Sequence, residues 1–203
     1  MKKLILIFLF IIGSAVYAQE ETLMGQEEIA NGGFGAPVVK FTSINSQFGV
    51  LAGGRGGWII NHSLILGIGG YGLVNNVNAA DMIIDRGPFL NFGYGGFEME
   101  YIRNWDKMVH ASIYLLLGGG AVSQRTNIFA EPLVWTTSNF GPFNSTNFFI
   151  AEPAVNIELN IVKFFRIDIG ASYRLISGVN RIGLNNSDLG GPSVVMALKF
   201  GKF

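Results

Sequence analysis

The chain is hydrophobic enough for a membrane, yet beyond residue 18 it has no apolar run long enough to cross one as a helix. Mean hydropathy is +0.38 and only 14% of residues are charged, whereas a helical span needs about 20 consecutive apolar residues. In hydrocarbon the backbone must satisfy its own hydrogen bonds, and the other structure that does so is a sheet closed on itself. Period two, rather than 3.6, is then the pattern that matters.

That pattern is clearest near the C-terminus. Phe165, Ile167, Ile169, Ala171, Tyr173 and Leu175 alternate with Arg166, Asp168, Gly170, Ser172 and Arg174. Just upstream, Phe149 to Ile161 alternates with Glu152, Ala154, Asn156, Glu158 and Asn160. A tight turn near Val162-Lys163 joins the two, in a register that sets Glu158 opposite Arg166, a favourable cross-strand charge pair. Pro153 cannot donate to a ladder, so a bulge or local break is expected there. Val109 to Leu117 alternates in the same way after the turn Asn104-Trp105-Asp106. That turn sets Glu100 opposite His110 and Glu98 opposite Ser112. Phe92 and Tyr94 lie on the other parity from Phe97, Met99 and Tyr101, and a bulge at Gly95-Gly96 would reset it. Earlier strands are read at Val38–Ile44, Phe48–Ile60 and Ser63–Val74, the last with ambiguous sidedness. The final strand, Ser193–Phe203, puts Val194, Met196, Leu198 and Phe200 on one face, for a total of eight.

The connections sort themselves. Asn61-His62, 104–106 and 162–163 are short, whereas 75–87, 124–146 and 177–191 are long and all emerge at the opposite end, together with the short Asn45-Ser46. Aromatics gather at both ends, with Trp58, Tyr101, Trp105, Phe165 and Phe203 by the turns and Phe48, Phe89, Phe149 and Tyr173 towards the loops. The strand Phe165–Tyr173 is about 26 Å long, or about 20 Å along a membrane normal at a tilt of about 40°. The 28 glycines and 17 phenylalanines suit a tightly curved wall with aromatic interfaces.

The N-terminus has a different character. Lys2 and Lys3 precede the apolar run Leu4–Ile12, and Val16 and Ala18 stand at the −3 and −1 places of a small-residue cleavage site. This is the layout of a secretory signal peptide, with a mature chain expected from Gln19. The chain has no cysteine, which excludes a disulfide framework, a thiolate metal site and lipoprotein acylation. With 14 basic and 14 acidic residues, it carries no basic surplus to attract nucleic acid.

Signal, strand plan and terminal aromatic Phe203 together resemble the small eight-stranded outer-membrane barrels of the OmpA/OmpX type. The resemblance implies an all-β, eight-stranded antiparallel up-and-down transmembrane barrel with periplasmic termini. It also implies a Gram-negative outer-membrane location, membrane lipid as surroundings and the barrel-insertion machinery as an assembly partner. The expected organisation is a signal peptide over 1–18, a flexible periplasmic lead-in over 19–34 and the barrel over 35–203. Lys199 and Gly201 depart from the apolar preference of such terminal strands. A soluble lipocalin-like barrel, apolar inside, is the alternative that alternation alone leaves open. The sparse and mutually compensating charges of the second face favour an apolar exterior.

On that reading Arg55, Glu98, Glu100, His110, Glu152, Glu158, Arg166, Asp168 and Arg174, with Lys40, form a structural charge network in the lumen. No cofactor, metal or catalytic site is expected. Gly67-Ile68-Gly69-Gly70-Tyr71-Gly72 fits a dinucleotide fingerprint but has no helix to follow it. Ser112, His110 and a glutamate share a face, yet near the periplasmic turn a filled ion-pair interior is the simpler reading than hydrolysis. Asp81, Asp85 and Asp188 lack any calcium-loop spacing. The glycines around Gly53–Gly57 could leave a smooth external groove for a lipid or a partner barrel. Function is expected in the long loops, where Phe129, Trp135, Phe140 and Phe143 are candidate contacts for a surface or envelope protein. These four could equally pack as a lid over the barrel mouth. The rival is binding or passage of a small hydrophobic ligand, as in OmpW-like barrels, through a lateral opening at Pro153 or Gly93–Gly96.

Overall fold

The computed structural model describes residues 30–79, 88–125, 145–180 and 183–203. Eight strands follow one another around a closed barrel: β1 (Asn31–Ile44), β2 (Gln47–Ile60), β3 (Leu64–Leu73), β4 (Phe89–Arg103), β5 (Val109–Arg125), β6 (Thr146–Val162), β7 (Phe165–Ser177) and β8 (Gly191–Lys202). Every pairing is antiparallel, and β1 meets β8 from Gly33↔Lys202 to Thr42↔Ser193, which leaves no free edge. β1 begins at Asn31, so residues 31–34 belong to the wall and not to a lead-in.

Turn chemistry explains the tight ends. Asn45 and Ser46 have φ of 50° and 58°, and Asn61 and His62 have φ of 50° and 57°. Two consecutive left-handed residues give the hairpin turn whose twist matches the flanking strands, and asparagine tolerates that conformation well. The His62 ring stacks on Trp105 at 4.1 Å, holding two neighbouring turns together.

The wall is inverted relative to a soluble barrel. Phe97 and Phe149 are each 78% exposed on the outside, whereas Glu100, Glu152 and Glu158 are fully buried inside. A lipocalin-like barrel needs the reverse, an apolar interior under a polar surface, so that alternative is set aside. β3, ambiguous by sequence, turns Ile65, Tyr71 and Leu73 inward and Leu66 and Ile68 outward.

Three register expectations are corrected. β4 runs without a bulge: Gly95 pairs with Gly119 and Gly96 with Gly118, so Phe92 and Tyr94 share the inward face of Glu98 and Glu100. The alternation there changes chemistry, from aromatic to acidic, without changing side. Residues 104–110 lie outside the β4–β5 pairing, which begins at Arg103↔Ala111 and so sets Glu100 opposite Tyr114 and Ile102 opposite Ser112; Glu100 therefore does not face His110. At the β6–β7 turn a shift between Asn160 and Val162 places Glu158 opposite Asp168 and Asn160 opposite Arg166. At Pro153 the register to β7 is the same on both sides, from Ala151↔Leu175 to Ala154↔Ser172, with no pairs at 152 and 153; this is a local break and not a bulge.

Two aromatics assigned to the interfaces are covered by protein instead. Phe89 is buried, and Phe203 packs against the core, 6.4 Å from the Phe34 ring. At the loop end a single helical turn, α1 (Asn186–Leu189), buries Leu189, and its Asp188 carbonyl accepts from the Asn45 N–H at 2.6 Å.

Candidate functional site

Alternation sends one residue in two into a narrow interior, and there the polar ones have only each other. Two clusters result. Towards the tight turns, the Lys199 ammonium sits among three carboxylates, 2.9 Å from Glu100, 3.4 Å from Asp168 and in direct contact with Glu158. Arg55 pairs with Glu98 at 2.9 Å and also with Glu100, and its guanidinium lies 4.6 Å from the Tyr114 ring centre. Ser112 donates to Glu100 at 2.6 Å. His110, opposite Glu158 in the β5–β6 register, approaches that carboxylate at 3.2 Å. Arg166 reaches Glu158 at 3.5 Å, diagonally across the turn, and stacks over Phe203 at 4.0 Å.

Towards the loops, Glu152 is the hub. Lys40 donates to it at 2.8 and 2.9 Å, Tyr94 at 2.7 Å and Ser172 at 2.5 Å. Lys40 also lies 3.5 Å above the centre of the Tyr71 ring, whose hydroxyl donates to Glu98 at 2.7 Å and so links the two clusters. Arg174 closes the loop end, donating to the Leu189 carbonyl at 3.1 Å, Ser193 Oγ at 2.6 Å and Thr42 Oγ1 at 2.8 Å. Above Glu152, Phe92 and Phe148 stack at 5.4 Å and fill the remaining width.

All nine network residues expected from the alternation are buried inside the barrel. Partners not included in the expected network are Lys199 and the phenols of Tyr71, Tyr94 and Tyr114. The signal for Lys199 is present in the sequence, since it lies on the parity opposite Val194, Met196, Leu198 and Phe200. Its place looks like a defect in a terminal strand but is the centre of the lower cluster. Oxygens of Glu100, Glu158 and Asp168 all lie within 4.8 Å of one another, as metal ligands would. The Lys199 ammonium takes the position a cation would hold.

The arrangement contains no activated nucleophile among the described residues. Ser112 is bonded to Glu100 and His110 to Glu158, so the hydroxyl and the imidazole belong to different carboxylates. A nucleophile–base pair needs the two in hydrogen-bond contact. Asp188 accepts from the Asn185 N–H at 2.6 Å and serves the helical turn. Phe129, Trp135, Phe140 and Phe143, like Asp81 and Asp85, lie outside the described residues. The glycine wall at Gly93–Gly96 is paired on both sides and provides no lateral opening.

A closed eight-strand barrel with an apolar exterior and an ionic, side-chain-filled interior can now be set beside known proteins. No protein-family model matches the sequence, and no curated protein matches it either. Solved structures do match. Neisserial surface protein A superposes with a TM-score of 0.61 at 13% identity, over 87% of this chain and 100% of that one. The fold is that of the small eight-stranded outer-membrane barrels. The N-terminal β-barrel domain of Pseudomonas aeruginosa OprF gives 0.53 at 8% identity, over 86% and 99% of the two chains. Ail, the attachment invasion locus protein of Yersinia pestis, gives 0.50 at 9%, over 86% and 99%. At these identities the likeness is one of fold.

Proposed function

We propose that this chain is an integral outer-membrane barrel, exported on residues 1–18, that works without catalysis through the loops at the end opposite its tight turns. The observation that carries the reading is the inverted wall around a filled lumen. Apolar side chains cover the outside, while Lys40, Arg55, Arg166, Arg174 and Lys199 compensate five carboxylates inside. Eight strands leave an interior that side chains fill, so the barrel is a rigid pedestal and not a conduit. Contacts with other molecules then fall to the outer wall and to the loops, the usual place for function on a rigid scaffold. The aromatics Phe129, Trp135, Phe140 and Phe143 suit contact with a surface or envelope protein.

Two measurements test this. The mature protein should require detergent for extraction and should shift in gel mobility on heating; recovery in the soluble periplasmic fraction would refute the membrane reading. Deleting 129–143 should abolish binding of the cell surface to its partner while the heat shift is kept. Unchanged binding together with altered uptake of hydrophobic compounds would favour ligand passage instead.

A further inference from the structure

A groove of about 500 Å³ crosses the outer face of β2–β5. It exists because one outward row, Gly56–Ile68–Phe97–Leu117, has three large side chains and one missing. The backbone of Gly56, Gly57 and Gly67 makes its floor, and Ile68, Phe97 and Met99 are among its walls. Trp58, exposed and directly opposite Leu66, stands at its rim.

The outward face of β4 runs on from Phe97 and Met99 through Tyr101 to Arg103 at the tight-turn end. Arg103 is exposed, and among the described residues its side chain has no ion pair or hydrogen bond. Of the described strand side chains, only Arg103 and Lys202 are outward cations, and Lys202 lies on β8, across the barrel. Four to six residues separate Arg103 from Met99 and Phe97, about 13–20 Å along the strand and about 10–15 Å along the membrane normal. A leaflet's hydrocarbon is about 15 Å thick, half of the bilayer core. The groove therefore sits at acyl-chain depth when Arg103 is at the headgroups of the periplasmic leaflet.

We infer that the groove and Arg103 form one site for an anionic glycerophospholipid of the periplasmic leaflet, with an acyl chain in the groove and the phosphate on the guanidinium. The inference rests on the membrane reading above. Lys107, in the adjoining turn, is paired with Asp106 at 3.4 Å, so Arg103 is the uncompensated cation at the end of an otherwise apolar path, and calls for an occupant with one anionic head and an apolar tail. A second copy of the chain is a poorer match, because every acidic residue on the described strands points into the lumen, and Asp106, exposed in the β4–β5 turn at the same end, is already paired with Lys107 at 3.4 Å.

The test uses Trp58 as the reporter, in a Trp105→Phe/Trp135→Phe background reconstituted in phosphatidylcholine vesicles. Increasing fractions of phosphatidylglycerol or phosphatidylcholine brominated on the acyl chains are then added. Brominated phosphatidylglycerol should quench Trp58 with a relative association about three- to fivefold higher, the effect of one basic side chain at the interface. Arg103→Gln should bring that ratio to about one, and Lys202→Gln, at the same end but across the barrel, should leave it unchanged. Ile68→Phe, which fills the groove without touching Arg103, should weaken quenching by both lipids. Equal quenching by the two lipids in the parent, or an unchanged ratio in Arg103→Gln, overturns the site while the membrane reading stands. A vesicle-bound, heat-shifting protein whose Trp58 is shielded from every brominated lipid and which cross-links as a dimer assigns the groove to a second copy, and also overturns it. Failure of the protein to associate with vesicles at all refutes the membrane reading and the site with it.

Discussion

Replacing Lys199 with methionine removes the one cation shared by three buried carboxylates. The ammonium is fully buried and lies 2.9 Å from Glu100 and 3.4 Å from Asp168, with Glu158 in contact. Methionine nearly preserves the volume, so little of the effect is a cavity. What remains is Arg55 and Arg166 against Glu98, Glu100, Glu158 and Asp168 in a water-poor interior. Breaking a buried pair in this way costs about 3–5 kcal/mol. With an m-value of about 2 kcal/mol/M, the urea midpoint should fall by about 2 M. The midpoint is read from tryptophan emission and heat-dependent gel mobility of protein unfolded from vesicles. Asp168 has Lys199 as its ion-pair partner and no hydrogen bond to its carboxylate among the described residues. The double variant Lys199→Met/Asp168→Asn should therefore recover about 1–2 kcal/mol relative to additivity. A single-variant loss below about 1 kcal/mol, or a strictly additive double variant, would show that the lower cluster does not hold the barrel together.

Further expectations follow from the packing. A Cβ at Gly96 would lie 2.3 Å from the Leu117 carbonyl oxygen, so Gly96→Val should force β4 and β5 apart and abolish the heat-shifted folded band. At Gly72 nothing lies within 4 Å, and Gly72→Ala should shift the urea midpoint by no more than a few tenths of a molar. Arg174→Met should release α1 and expose 178–190 to protease on intact cells, with the barrel core still resistant. In planar bilayers the parent protein should show no stable large conductance, and a persistent water-filled channel would contradict a lumen closed by side chains.

Much of this molecule is legible as a pattern. Alternation in a strand is a local property of the backbone, so the residues of Phe165–Leu175 or Val194–Phe200 by themselves tell which side chains face together. Loop lengths likewise sort one end of the barrel from the other. Register is not legible in this way, because it is set by turn geometry, and each pair of residues added at a turn displaces every pairing along the hairpin by two, once at β6–β7 and twice at β4–β5. Glu100 thus lies opposite Tyr114, not His110, and Glu158 opposite Asp168. The bulge expected at Gly95-Gly96 is absent for a different reason: aromatic and acidic residues differ in chemistry, but in a lumen eight strands wide both fill the same interior. Only closure brings residues as distant in sequence as Lys40 and Glu152, or Glu100 and Lys199, within hydrogen-bond reach. Sequence determined that, of the described strand side chains, the acidic residues and all the cations but Arg103 and Lys202 lie on one face. The closed sheet decided which of them meet, because partner choice depends on the stagger around the whole barrel and no single strand carries it.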